Sequence, residues 1–166
     1  MKTQILLILF LGLLIPNTSN ACECPIPKNL QSIQNREFEN SDCILIGEVL
    51  EINSKNDTFK VKVIESFSGD KNGKIYNGIY NRYCEPIIDQ KGKWLIYGNI
   101  DEEGILEISM CGLTRSFENP EKNIQVSMLA HKFNSDVVTE KEKIEQIKKA
   151  KSDLINEIEL LREKTK

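Results

Sequence analysis

Cys22, Glu23, Cys24 and Pro25 stand together at one point of the chain, and their types and spacing could do chemistry. Two thiols one residue apart can each form a disulfide or bind a metal. The chain holds five cysteines, Cys22, Cys24, Cys43, Cys84 and Cys111, and one histidine, His131. A structural zinc site calls for tighter Cys/His clusters than these. His131 lies on a predicted helix and reads as a surface or packing residue. The chain has no phosphate-binding glycine loop and no nucleophile elbow. Glu102 and Glu103 fall in a turn and read as solvated charge. These residues point away from an enzyme and imply no cofactor.

What precedes Cys22 decides how its thiol is read. Residues 1–21 carry Lys2, an apolar run from Ile5 to Ile15, and a polar stretch ending in Ala21. The run falls short of the roughly 20 residues that span a bilayer. Ser19 and Ala21 are small and suit signal-peptidase cleavage before Cys22. Residues 1–21 are therefore predicted to be a signal peptide. The mature chain then starts at Cys22 and is exported, with a lipid anchor on Cys22 as the alternative. In an exported chain cysteines are read first as disulfide partners. Five is an odd count, so one is left over or pairs between chains. The formal charge is −3 with no basic patch, which argues against nucleic acid as a partner. No segment reads as a transmembrane span.

The elements that would position these residues follow from periodicity. Lys28–Phe38 reads as a short helix. Strands are predicted at Cys43–Ile52, Thr58–Ser66, Lys74–Tyr80, Gly92–Ile100 and Gly104–Met110. The first two should form a hairpin around Asn53–Asp57, with Gly47 marking a bend or bulge. Phe59, Val61 and Val63 share one face, and Trp94 reads as core. Five short strands bounded by Gly and Asn argue a small closed barrel or a sandwich. Asn123–Phe133 reads as a short helix. Thr139–Lys166 reads as a long amphipathic helix opened by a Thr139/Glu142 capping box. Its stripe of Ile144, Ile147, Leu154, Ile155, Ile158 and Leu161 must meet the barrel or a second chain, which would make a dimer.

In order along the chain stand Cys-x-Cys-Pro at a cleavage site, SDCILIGEVLEI, FKVKVIESFSGD, the cysteine of NRYCEP, GKWLIYG and ISMCGL. This set resembles the tissue inhibitors of metalloproteinases and the wider netrin-like module, over roughly residues 22–117. The resemblance implies a mainly β fold, a five-stranded OB-type Greek-key barrel with flanking helices. Residues 22–135 would form that domain and residues 136–166 a C-terminal helix added to it. The family pattern further implies bridges Cys22–Cys84 and Cys24–Cys111, which would staple the N-terminal segment to the barrel. A third family bridge has no counterpart here: its first cysteine would fall near Glu39. Cys43 sits instead inside a strand and reads as a buried thiol or as an intermolecular partner.

In the inhibitors, the α-amine and carbonyl of the first cysteine chelate the zinc of the target protease. Carried to this chain, that role falls to Cys22, with Glu23, Cys24 and Pro25 beside it at the target. An α-amine of pKa about 7.7–8.0 is partly neutral near pH 7, and catalytic zinc keeps an open position. The family places a small or neutral residue second, and this chain has Glu23. A carboxylate costs several kcal/mol to bury unpaired, so such a target would need a basic or polar pocket. The implied partner is a protein, with a zinc metalloprotease as one case.

Non-reducing peptide mapping with intact-mass analysis tests this reading. The expected result is a chain starting at Cys22, bridges Cys22–Cys84 and Cys24–Cys111, and an unlinked Cys43. A diacylglycerol adduct or a Cys43-linked peptide would overturn it.

Overall fold

Two of the predicted strands carry apolar runs without a break, Cys43–Ile46 and Trp94–Ile96, and the computed structural model pairs them. The structure describes residues 29–83, 87–109, 112–122 and 139–166. The element order is α1 (Leu30–Asn40), β1 (Cys43–Asn53), β2 (Thr58–Ser66), β3 (Ile75–Ile79), β4 (Gly92–Ile100), β5 (Leu106–Ile108), β6 (Arg115–Ser116) and α2 (Glu140–Lys164). The predicted helix at Asn123–Phe133 lies outside the described residues.

The sheet runs β1-β2-β3-β5-β4, and β4 returns to pair with β1, so five strands close a barrel. All neighbours are antiparallel except β3 and β5, which run parallel. This is an OB-type barrel with flanking helices, as the resemblance implies, and it decides between the barrel and the sandwich that the strand pattern left open. β6 lies outside the ring, paired to β4 through Trp94–Ser116 and Leu95–Arg115. The register of β1 on β2 slips at Ile46/Gly47, which places the expected bulge. β5 is shorter than the predicted strand at Gly104–Met110.

The alternation of β1 and β4 serves two cores. Inside the barrel lie Cys43, Leu45, Val49, Phe59, Val61, Val63, Trp94 and Ile96. On the outer face, Ile44, Ile46, Leu95 and Tyr97 meet Ile33 of α1 and Leu154, Ile158 and Leu161 of α2. Strands buried on both faces read as continuous apolar runs rather than as alternation. Two glycines are needed for close approach. A Cβ on Gly78 would sit 2.2 Å from the Phe59 ring, and one on Gly98 would sit 2.3 Å from the Glu107 carbonyl oxygen.

Both helices are capped. Asn29 and Ser32 form a capping box on α1, and Thr139 and Glu142 form the predicted one on α2. The amphipathic stripe of α2 is divided. Leu154, Ile158 and Leu161 are buried against the barrel, while Ile144 and Ile155 stay more than half exposed, at 52% and 58%. The first buried residue of α2 is Ala150. The opening turns therefore project past the barrel, because a helix of about 37 Å exceeds the barrel's width.

Removing residues 139–166 should uncover Ile44, Ile46, Leu95 and Tyr97. Burial of Leu154, Ile158 and Leu161 contributes about 5–9 kcal/mol, comparable with the whole stability of a small domain, about 5–15 kcal/mol. The truncated chain is expected to lose its cooperative melting transition and to bind a hydrophobic dye. An unchanged melting temperature would show α2 to be an independent appendage.

Candidate functional site

The site residues that the sequence points to, Cys22, Glu23, Cys24, Pro25, Cys84 and Cys111, lie outside the described residues, as does His131. Among the described residues, one surface carries a polar clamp beside a groove. Its centre is the tip of the β1–β2 hairpin. Asp57 closes that tip at a φ of 54°, the left-handed region that Asp tolerates better than most residues. Arg82, two residues before Cys84, holds it there. Its Nε donates to both Asp57 carboxylate oxygens at 2.9 and 3.1 Å. Its Nη2 reaches the Ser54 carbonyl and Asp57. The Tyr80 N–H donates to the Asp57 carbonyl at 3.0 Å. The hairpin tip and the segment entering Cys84 are thus tied side by side. Tyr83, between Arg82 and Cys84, is 88% exposed.

Beside the hairpin runs an open groove of about 410 Å³. Ile52, Phe59, Ile79 and Ile105 supply its apolar lining, and Glu51, Lys60 and Asn77 are among its polar residues. Lys60 and Glu51 pair at 3.0 Å across the ladder. Ile64, Ile75 and Ile79 are exposed aliphatics of β2 and β3. Sequence reasoning read these isoleucines only as strand residues. The Arg82–Asp57 contact spans 25 positions and leaves no local signal.

Cys43 is a free, fully buried thiol. Its S–H donates to Asp70 Oδ2 at 3.7 Å. Burial, then the negative charge of Asp70, pushes the thiol up to about 12. Asp70 is held by Tyr76, whose hydroxyl donates at 2.5 Å, and by Lys74 at 3.0 Å. Burial raises the Asp70 carboxyl, and these hydrogen bonds outweigh it, leaving the group below its ordinary value. A thiol so buried and so weakly acidic is a poor nucleophile at neutral pH.

A second polar cluster lies under α2. Arg115 of β6 and Glu157 of α2 form an ion pair, with side chains 0% and 2% exposed. Glu157 also accepts from the Tyr97 hydroxyl at 2.6 Å and from Gln34 Nε2 of α1 at 2.9 Å. Four elements, α1, β4, β6 and α2, thus meet on one carboxylate. Burial and then Glu157 push the Tyr97 phenol upward, so it stays protonated and donates. Glu37 is buried nearby, and burial raises its carboxyl. Among the described residues no group of three or more His, Cys, Asp or Glu side chains is placed to hold a metal ion.

Compared with known families and with curated proteins, the chain matches no family model and no curated sequence.

Glu157→Ala would leave Arg115 charged and unpaired in the interior, a loss of about 3–5 kcal/mol. The joint replacement of Arg115 and Glu157 by methionine should recover most of it. Chemical denaturation of the single and double variants checks this. Equal loss in both would mean that the pair itself, rather than its unpaired remnant, sets the stability.

Proposed function

We propose that this chain is a secreted, disulfide-stapled, non-catalytic protein-binding module of the netrin-like kind. The observation that carries the reading is the surface beside the β1–β2 hairpin. There an aliphatic-lined groove, the exposed Ile75 and Ile79, and the hairpin tip lie on a rigid closed barrel. Apolar surface with a polar margin, presented on rigid strands, suits a protein partner. Tyr83 adds an exposed aromatic of the type that anchors interfaces. The resemblance of residues 22–117 to the netrin-like module points the same way.

A second reading has its own support. In it the mature N-terminus inhibits a zinc metalloprotease, with the Cys22 amine and carbonyl on the target's zinc. The Arg82 clamp ties the hairpin tip to the segment entering Cys84. If Cys22 is bridged to Cys84, as the resemblance implies, the N-terminus, Tyr83 and the hairpin tip share one surface. A clamped terminus would bind with little ordering cost. Glu23 would then select a basic or polar pocket.

Inhibition constants separate the two readings. The mature chain, a form with one alanine added before Cys22, and Glu23→Thr would be measured against a panel of zinc proteases. The module reading expects no inhibition by any form. It also expects a partner cross-linked from the native secretome to be lost on Tyr83→Ala or Ile79→Glu. Inhibition by the mature chain that the added alanine abolishes would establish the second reading instead. Inhibition that survives the added alanine would exclude zinc chelation.

A further inference from the structure

Among the described residues, the first part of β3 has no strand on its outer side. The Val63 N–H donates to the Lys74 carbonyl at 2.8 Å, and the Tyr80 N–H donates to the Asp57 carbonyl at 3.0 Å. In an antiparallel ladder, main-chain groups alternate between the two sides of a strand. The Lys74 carbonyl, Tyr76, Gly78 and the Tyr80 N–H therefore face β2, while the Lys74 N–H donates to the Lys71 carbonyl. Ile75, Asn77 and Ile79 turn theirs away from it. β5 reaches β3 only at Gly78 and Ile79. Among the described residues, no strand pairs with Ile75 and Asn77 on that side.

The side chains along this edge lack the usual protection. Exposed edges are ordinarily guarded by charge, proline or a bulge. This one presents Ile75, 54% exposed, and Ile79, 38% exposed. It continues into the groove lined by Ile52, Phe59, Ile79 and Ile105. Lys62 stands opposite Ile75 in the β2–β3 ladder. Glu48 faces Lys62 from β1, and no ion pair between them forms. Lys60 is engaged by Glu51. At the other end, Glu107 stands opposite Ile79. The edge is thus cationic near Ile75, and apolar with an acidic neighbour near Ile79.

We propose that the outer edge of β3 takes a further strand from a partner protein. The segment would be extended, with an acidic side chain toward Lys62 and aliphatic side chains toward Ile75, Ile79 and the groove. Backbone groups at an edge specify a strand, and the flanking side chains specify its composition. The inference rests on the protein-binding reading and adds the kind of partner.

The test uses the isotope-labelled mature chain and a short blocked peptide that alternates valine and glutamate. A valine–lysine peptide serves as control. Amide exchange at Ile75 and Asn77 is expected to slow by at least about tenfold with the acidic peptide and not with the control. Asn77→Pro removes the edge N–H, a change that edge strands tolerate, and should abolish that protection and the binding. Ile75→Lys, a surface change that restores a charged guard, should do the same if the proline variant fails to fold. Unchanged exchange at Ile75 and Asn77, equal binding of the control, or full binding by Ile75→Lys would overturn the proposal. So would protection of these amides in the free chain through self-association. A cross-linked partner kept by Ile75→Lys but lost on Tyr83→Ala would leave the module reading standing and remove the edge from it. Absence of any partner alongside peptide binding at the edge would do the reverse.

Discussion

The pairing of β1 with β4 is the contact on which the rest of this structure depends. It closes the barrel, and it commits both strands to burial on two faces. Inward residues such as Leu45, Trp94 and Ile96 find the barrel interior. Outward residues such as Ile44, Ile46, Leu95 and Tyr97 need a cover, and the two helices supply it. The long C-terminal helix is therefore part of the domain's own core, even though it begins far along the chain. Surface contacts trim the arrangement. Arg162 grips Glu65 of β2 with two hydrogen bonds, and Lys164 lies 4.5 Å over the Phe38 ring of α1.

Apolar contact alone would let α2 slide or rotate on this cover, because Leu154, Ile158 and Leu161 are chemically alike. The buried pair of Arg115 and Glu157 removes that freedom. Only one turn of the helix brings a carboxylate to the guanidinium, the Tyr97 hydroxyl and Gln34 at once. Such pairs add little net stability after desolvation but penalise every misaligned arrangement. β6, only two residues long, is explained by this contact: it carries Arg115 to the place where α2 needs it.

Much of the barrel was legible because its signals are local. The unbroken runs CILI and WLI mark the doubly buried strands, and alternation marks β2. The capping box opening α2 and the bulge at Gly47 were readable at single positions. The hidden polar cluster was not read, since a helix rich in Lys and Glu reads as solvated outside its apolar stripe. A signal was nonetheless present. Glu157 is three residues from Leu154 and four from Leu161, so it lies in the middle of the buried face. Glu37 stands four residues after Ile33 in the same way. The groove and the Arg82–Asp57 clamp join residues far apart in sequence, and no periodicity reports them. The place of the N-terminal cysteines is read from the cleavage signal, and the pairing expected of them comes only from the resemblance.

The burial of Cys43 bears on which thiols the folded chain leaves reactive. Thiol–disulfide exchange proceeds through thiolates. A thiol pushed up to about 12 is ionised in only about one molecule in 10⁵ at pH 7. Once β1 is seated between β2 and β4, Cys43 is shielded by both access and acidity. Before that, were the chain exported as proposed, it would be an ordinary reactive thiol beside four others. If the other cysteines bridge as the resemblance implies, correct oxidation would favour seating of β1 before cross-linking. With those bridges in place, a substitution that slows the seating of β1 would be felt first as scrambled oxidation products rather than as lost stability of the finished fold.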